Sequence, residues 1–196
     1  MKLYLIRHGQ SEANLKDMMS TPQVPLTQQG IEDARRVGEM LRKLSFDRVF
    51  VSPYLRAIQT QQYAMPGVTG EIVECIHENN NGSLEGRFCS DIIAEYGDAF
   101  AEMIRVDDFT SVGGENYASA RGRARKFMRF LESIDCDNAV AFTHLGFVLA
   151  FFDEVMGRLE KPGRHIDCAN GSVSIFEYRK GIWYVSAFNI TPDVLG

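Results

Sequence analysis

The sequence predicts an α/β fold: a three-layer sandwich whose central, mostly parallel sheet carries helices on both faces. Two observations predict it. Short apolar runs of strand length alternate with longer segments of helical period. The central runs, such as Leu3-Tyr4-Leu5-Ile6 and Ala139-Val140-Ala141-Phe142, are apolar at successive positions, as expected of strands covered on both sides. Composition agrees, with 45% hydrophobic and 24% charged residues, enough apolar surface to offset the entropy of ordering the chain. With no linker, repeat or low-complexity tract, residues 1–196 read as one domain.

Leu3 to Ile6 is the first strand, followed by a polar loop through Pro25. Thr27 is placed to cap a helix whose apolar face holds Ile31, Ala34, Val37, Leu41 and Leu44, three or four apart. Val49 to Val51 is the second strand. Ser52-Pro53 then supplies an N-cap and a proline at the first helical position, opening a helix that stops near Met65, before Pro66-Gly67. Ile72 to Cys75 reads as a third strand. Residues 79–114 are less regular, with short helical pieces at Ile92 to Tyr96 and Ala99 to Ile104, and Phe88, Ile92, Ile93, Tyr96, Phe100, Met103 and Phe109 are expected mostly in its core. A long amphipathic helix follows, with Ala120, Ala124, Phe127 and Leu131 on one face and Arg121, Arg125 and Arg129 on a solvated one. Ala139 to Thr143 is a strand feeding a helix with Val148, Leu149, Phe152 and Val155. Val173 to Tyr178 and Trp183 to Phe188 form a hairpin about Arg179-Lys180-Gly181.

A formal charge of −5 disfavours nucleic acid and anionic membranes as partners, while leaving room for a small anionic ligand held by local arginines. Cys75, Cys89, Cys136 and Cys168 form no CxxC or Cys/His group, which argues for reduced thiols and against zinc. The apolar run at the start is too short for a signal peptide or membrane span, so a cytoplasmic location is expected.

Three strands end in groups suited to an anion. The first ends in Arg7-His8-Gly9, the second in Ser52-Pro53 with Arg56 close behind, and the fourth in Thr143-His144 before a helix. Ligands of open α/β sheets bind outside the carboxyl ends of the strands, where helix N-termini add N–H donors. Two arginines and two histidines therefore converge on one crevice. Guanidinium forks complement phosphoryl oxygens, and a neutral imidazole can attack phosphorus. There is no Walker-type loop and no evident aspartate cluster for magnesium, so the arginines would neutralise charge without a metal or cofactor. His77 and His165 lack comparable settings and read as ordinary polar residues.

Leu5-Ile6-Arg7-His8-Gly9-Gln10-Ser11-Glu12-Ala13-Asn14 resembles the signature of the histidine phosphatase superfamily, the phosphoglycerate mutase-like family. Pro25-Leu26-Thr27, Ser52-Pro53-Tyr54-Leu55-Arg56-Ala57, Ile76-His77-Glu78 with Gly82 and Glu85-Gly86, Gly114-Glu115, and Phe142-Thr143-His144-Leu145-Gly146 extend the resemblance over most of the chain. The resemblance implies that His8 becomes a phosphohistidine, and that Arg7, Arg56 and His144 hold the phosphoryl oxygens with Asn14 and the backbone of Leu145. It implies that Glu78 protonates the departing oxygen, a role needing a carboxyl still partly protonated at working pH. Leu145 stands where the family commonly has glycine, and Asn79-Asn80-Asn81 replaces a stretch usually charged or aromatic. Both departures touch leaving-group specificity.

Hydrolysis is favoured over phosphoglycerate mutation. Only 36 residues lie between Glu78 and Glu115, too few for the mutases' insertion, and the chain ends soon after its hairpin with no tail to exclude water. The expected substrate is a small phosphorylated metabolite, with 79–114 covering the site. A cofactor-dependent mutase and a silent phospho-ligand binder are the alternatives. A homo-oligomer is compatible with the exposed hairpin edge.

Overall fold

A computed structural model describes residues 1–157 and 166–191. Its elements run β1 (Lys2–Arg7), α1 (Glu12–Lys16), α2 (Gln28–Leu41), β2 (Arg48–Val51), α3 (Leu55–Ala64), β3 (Glu71–Ile72), α4 (Cys89–Tyr96), α5 (Asp98–Val106), α6 (Tyr117–Glu132), β4 (Asn138–Thr143), α7 (Leu145–Val155), β5 (Val173–Arg179) and β6 (Ile182–Ile190). The described strands form one sheet in the order β3-β2-β4-β1-β5-β6. The first four are mutually parallel, and β5 and β6 add an antiparallel hairpin to β1.

Side-chain alternation assigns the two faces of this sheet. Leu3 and Leu5 of β1, Phe50 of β2, and Ala139 and Ala141 of β4 pack with Phe127 of α6 and Phe147 and Phe151 of α7. Tyr4 and Ile6, Val51, and Val140 and Phe142 point the other way, against Val37 and Leu41 of α2 and Ala57 of α3. This is the predicted sandwich, with both faces covered. A third, separate apolar cluster joins Met19 to Leu84, Ile92, Phe100 and Phe109, giving the 79–114 segment a small core of its own.

Several local expectations are corrected. The polar loop after β1 contains α1, closed by a capping box in which Ser11 accepts from the Asn14 N–H and Asn14 accepts from the Ser11 N–H. Ser52 does not cap α3. That helix begins at Leu55 with Tyr54 at its N-cap, and the Ser52 hydroxyl accepts the Tyr54 N–H at 3.3 Å while also meeting His144 Nε2. The third strand pairs through only two residues, because the chain then turns into a 3₁₀ segment at Glu74–Ile76 that leads to Glu78. Leu44 lies beyond the end of α2 and is exposed, and so are Phe88 and Ile93, on the outer side of α4. Arg121 and Arg125 are not simply solvated, since both pair with Glu154 of α7. His165 lies outside the described residues.

Candidate active site

The sheet register brings three strand ends level. Arg7 of β1 sits opposite Thr143 of β4, and Val51 of β2 opposite Phe142. The residues that follow, His8, Ser52 and His144, therefore meet at the carboxyl edge of the sheet, where α/β folds bind ligands. A close backbone approach holds the β1 loop in place: Gly9 and Gly30 at the start of α2 are so near that a Cβ on either would collide with the other loop's backbone. The Gly9 N–H also donates to Thr60 Oγ1 on α3.

His8 is buried, and its two nitrogens have distinct roles. Nδ1 lies 2.7 Å from the Gly9 carbonyl oxygen, which can only accept, so Nδ1 carries the proton. Nε2 then presents its lone pair, and Arg56 Nε donates to it at 3.1 Å. Arg56 is itself only 1% exposed and also donates to the Thr21 carbonyl at 2.9 Å. Arg7, from the last position of β1, donates to the Cys168 carbonyl and lines the same cavity.

His144 is fully buried, its ring 5.2 Å from that of His8. It stands behind the cavity wall instead of lining it, with Nε2 2.7 Å from Ser52 Oγ. Burial holds the pKa of each imidazole well below its usual value, and Arg56 pushes both the same way, with Arg7 adding to the effect at His8. Both rings are thus neutral in the folded protein near pH 7. The unfolded chain takes up these protons first, so stability is fully present above about pH 6.5 and falls below it. The expected loss is up to about 1.4 kcal/mol per pH unit for each histidine, until the folded-state pKa is reached. Urea unfolding at pH 7, 6 and 5 should show this slope; a flat profile would mean the imidazoles take up protons without unfolding.

Glu78 faces this cluster from the loop after the 3₁₀ segment. Its Oε1 accepts the N–H groups of Asn79 and Gly146, each at 3.0 Å, so the first turn of α7 orients the carboxyl. Oε2 carries no hydrogen bond to the described residues. A Cβ at position 146 would fall 2.5 Å from Glu78 Oε1 and 2.8 Å from Asn79 Nδ2. Both atoms belong to side chains that can yield, so Gly146→Ala should fold normally yet displace the carboxyl. A fall of about 10–100-fold in kcat/KM with an unchanged melting temperature is expected; loss of folding instead would show that the site cannot give.

Asn14 lines the cavity, but its Oδ1 is taken by Ser11 and by Asn170 Nδ2. Its amide nitrogen is the end left for an anion. Leu145, at the start of α7, lines the cavity too. The pocket has a volume of about 170 Å³, and the covering segment closes it with Asn79, Asn81, Ile104 and Phe109. Arg87 and Arg105 are not in its wall; they pair with Glu95 and Glu102. Among the described residues no group of three or more His, Cys, Asp or Glu is placed to hold a metal ion.

Three contributors were not singled out from the sequence, and a fourth, Ser52, was named at its strand end but given no partner in the site. Ser52, given to a helix cap, meets His144 Nε2 as well as accepting the Tyr54 N–H. Thr60 takes the Gly9 N–H and donates to the Arg56 carbonyl at 2.7 Å. Asn170 donates to the His8 carbonyl at 3.0 Å from a loop whose proximity only the fold creates. Arg123 donates to the Cys75 and His77 carbonyls and to Asn79 of the Glu78 loop, contacts that no local pattern in the sequence marks. His77 stays outside the cavity, stacked on Tyr54.

Comparison with known proteins bears on this arrangement. Adenosylcobalamin/α-ribazole phosphatase of Salmonella typhi is 29% identical over 194 residues, 96% of each chain. A 2,3-bisphosphoglycerate-dependent phosphoglycerate mutase of Azorhizobium caulinodans is 37% identical over 123 residues, 58% of this chain and 60% of the mutase. The crystal structure of the α-ribazole phosphatase of Shigella flexneri superposes with a TM-score of 0.84 at 26% identity, covering 97% of this chain and 96% of that one. Residues 3–191 match the family model of the histidine phosphatase superfamily (branch 1), and the chain belongs to that family.

Proposed function

We propose that this protein is a phosphomonoesterase that hydrolyses a small phosphorylated metabolite through a phosphohistidine at His8. The observation that carries the proposal is the His8 Nε2 lone pair, held neutral and aimed at a cavity whose wall includes Arg7, Arg56 and Glu78. Nε2 attacks phosphorus and the bond to the leaving oxygen breaks, while Glu78 delivers a proton to that oxygen. Arg56, whose Nε–H donates to that lone pair, transfers its donor to a phosphoryl oxygen, and Arg7 takes another. Water then attacks the phosphohistidine as Glu78 accepts its proton. Phosphate leaves, and His8 returns as a neutral imidazole. The arginines supply the charge stabilisation that a metal would otherwise provide.

Hydrolysis, as opposed to mutation, is supported by the extent of the phosphatase likeness, which spans nearly the whole of both chains, where the mutase likeness spans little more than half. The substrate class proposed is a phosphomonoester of alcohol type, the α-ribazole phosphate acted on by the relatives being one candidate. No helix among the described residues is long and apolar enough to cross a membrane. With Cys75, Cys89, Cys136 and Cys168 all free, we place the protein in a reducing cytoplasm.

The test is phosphate release from a panel containing p-nitrophenyl phosphate, α-ribazole 5′-phosphate and 3-phosphoglycerate, with and without bisphosphoglycerate, in excess chelator. Phosphate release undiminished by chelator is expected. Phosphoglycerate isomerisation faster than phosphate release would reverse the assignment, and phospho-ligand binding without turnover would mark a silent member.

A further inference from the structure

We propose that Arg123, on α6, is a positioning residue for Glu78, clamping the chain on both sides of it so that its carboxyl meets the leaving oxygen. The inference rests on the reading of Glu78 as proton donor.

A guanidinium has five N–H donors, and all five of Arg123 are engaged. Nε donates to Glu115 Oε1 at 3.1 Å. Nη1 donates to the Cys75 carbonyl at 3.2 Å and the His77 carbonyl at 2.7 Å. Nη2 donates to Asn79 Oδ1 and Glu115 Oε2, both at 3.0 Å. Three of the acceptors thus belong to residues 75, 77 and 79, which bracket Glu78. The two Glu115 bonds anchor the fork, and Glu115 Oε2 also accepts the Asn80 N–H at 3.0 Å. From the same loop Asn79 Nδ2 donates to Asp107 Oδ2 at 2.7 Å, tying it to the covering segment. The ion pair is mostly buried, with 13% of the Arg123 side chain and 20% of the Glu115 side chain exposed.

Lysine keeps the charge at position 123 but has three donors in no fixed plane, so it cannot span both carbonyls, the amide and the carboxylate together. Arg123→Lys should therefore let Glu78 drift while leaving His8, Arg7 and Arg56 in place. The informative readout is kcat/KM, which reports transfer to His8, for two leaving groups. p-Nitrophenolate departs almost unaided, whereas an alkoxide such as that of glycerol phosphate needs the proton. The expected result is a fall of about 10–100-fold with the alkyl ester and less than about threefold with p-nitrophenyl phosphate. Glu115→Gln, which loosens two of the five bonds, should show the same pattern more weakly, and it carries the test if Arg123→Lys does not fold. Equal losses on both esters, or none, would overturn the proposal. Glu78→Gln serves as the reference. Leaving-group dependence there but not in the Arg123 and Glu115 variants refutes the positioning role alone. Its absence in Glu78→Gln removes the proton-donor reading, and the role of Arg123 with it.

Discussion

His8→Ala is expected to lower turnover of every phosphomonoester by at least about 10³-fold, because it removes the atom proposed to form the covalent intermediate. The choice between the two buried imidazoles follows from their surroundings. His144 directs Nε2 to Ser52 and lies behind the cavity wall, whereas His8 borders the cavity with its proton fixed on Nδ1 and its lone pair on Nε2. The fold should survive the substitution. It removes two hydrogen bonds, to the Gly9 carbonyl and from Arg56 Nε, each worth about 1 kcal/mol, and the space left adjoins a cavity whose water can take up the freed Arg56 donor. Wild-type protein quenched at alkaline pH, where phosphohistidine persists, should carry a phosphate that maps to His8, and the variant should carry none. A phosphorylated residue elsewhere, or a variant within tenfold of wild-type activity, would end the assignment.

Much of this site could be read before the structure because its main members sit at ends of elements. Arg7 ends a strand, and His8 and His144 each follow one, where apolar runs mark the boundaries, and the pairing of β1 with β4 then brings them together. Arg56 followed from its place just after β2. The ties between these residues were less legible. Ser52 satisfies a helix-capping pattern as well as a histidine partner, and only the adjacency of β2 and β4 reveals the latter. Arg123 looks like one more cation on a polar helix face until the loop at Cys75 to Asn79 is folded beneath it. Asn170 reaches the His8 carbonyl across 162 positions of chain, a pairing that no local pattern contains. The covering segment was the least legible, since Phe88 and Ile104 are similarly apolar in sequence, yet one is 46% exposed and the other lines the cavity.

Arg56→Met separates catalysis from stability. Arg56 is buried, and burial opposes its charge most; Glu78, Tyr54 and Glu85 nearby favour the charge, Arg7 opposes it, and no ion pair joins it to the described carboxylates. Its described polar contacts are with His8, the Thr21 carbonyl and the face of Tyr54. Its carboxylate neighbours offset the cost of burial only in part, so methionine, of similar length and without charge, relieves desolvation, while His8 Nε2 loses its donor and the Thr21 carbonyl keeps the Val24 N–H. Without ligand the melting temperature should stay level or rise. With inorganic phosphate the wild type should gain about 2.7 kcal/mol at a hundredfold excess over Kd, while the variant gains far less. Turnover should fall by about 10³-fold or more, the range of an arginine that neutralises a transferring phosphoryl group. Loss of its field also lets the His8 pKa rise, but only in part, because burial is the larger cause of the depression and persists. The acid limb of kcat/KM should therefore move to higher pH without reaching that of a free imidazole. A variant that loses stability along with activity would show that Arg56 is held there by the fold, and not for the phosphoryl group.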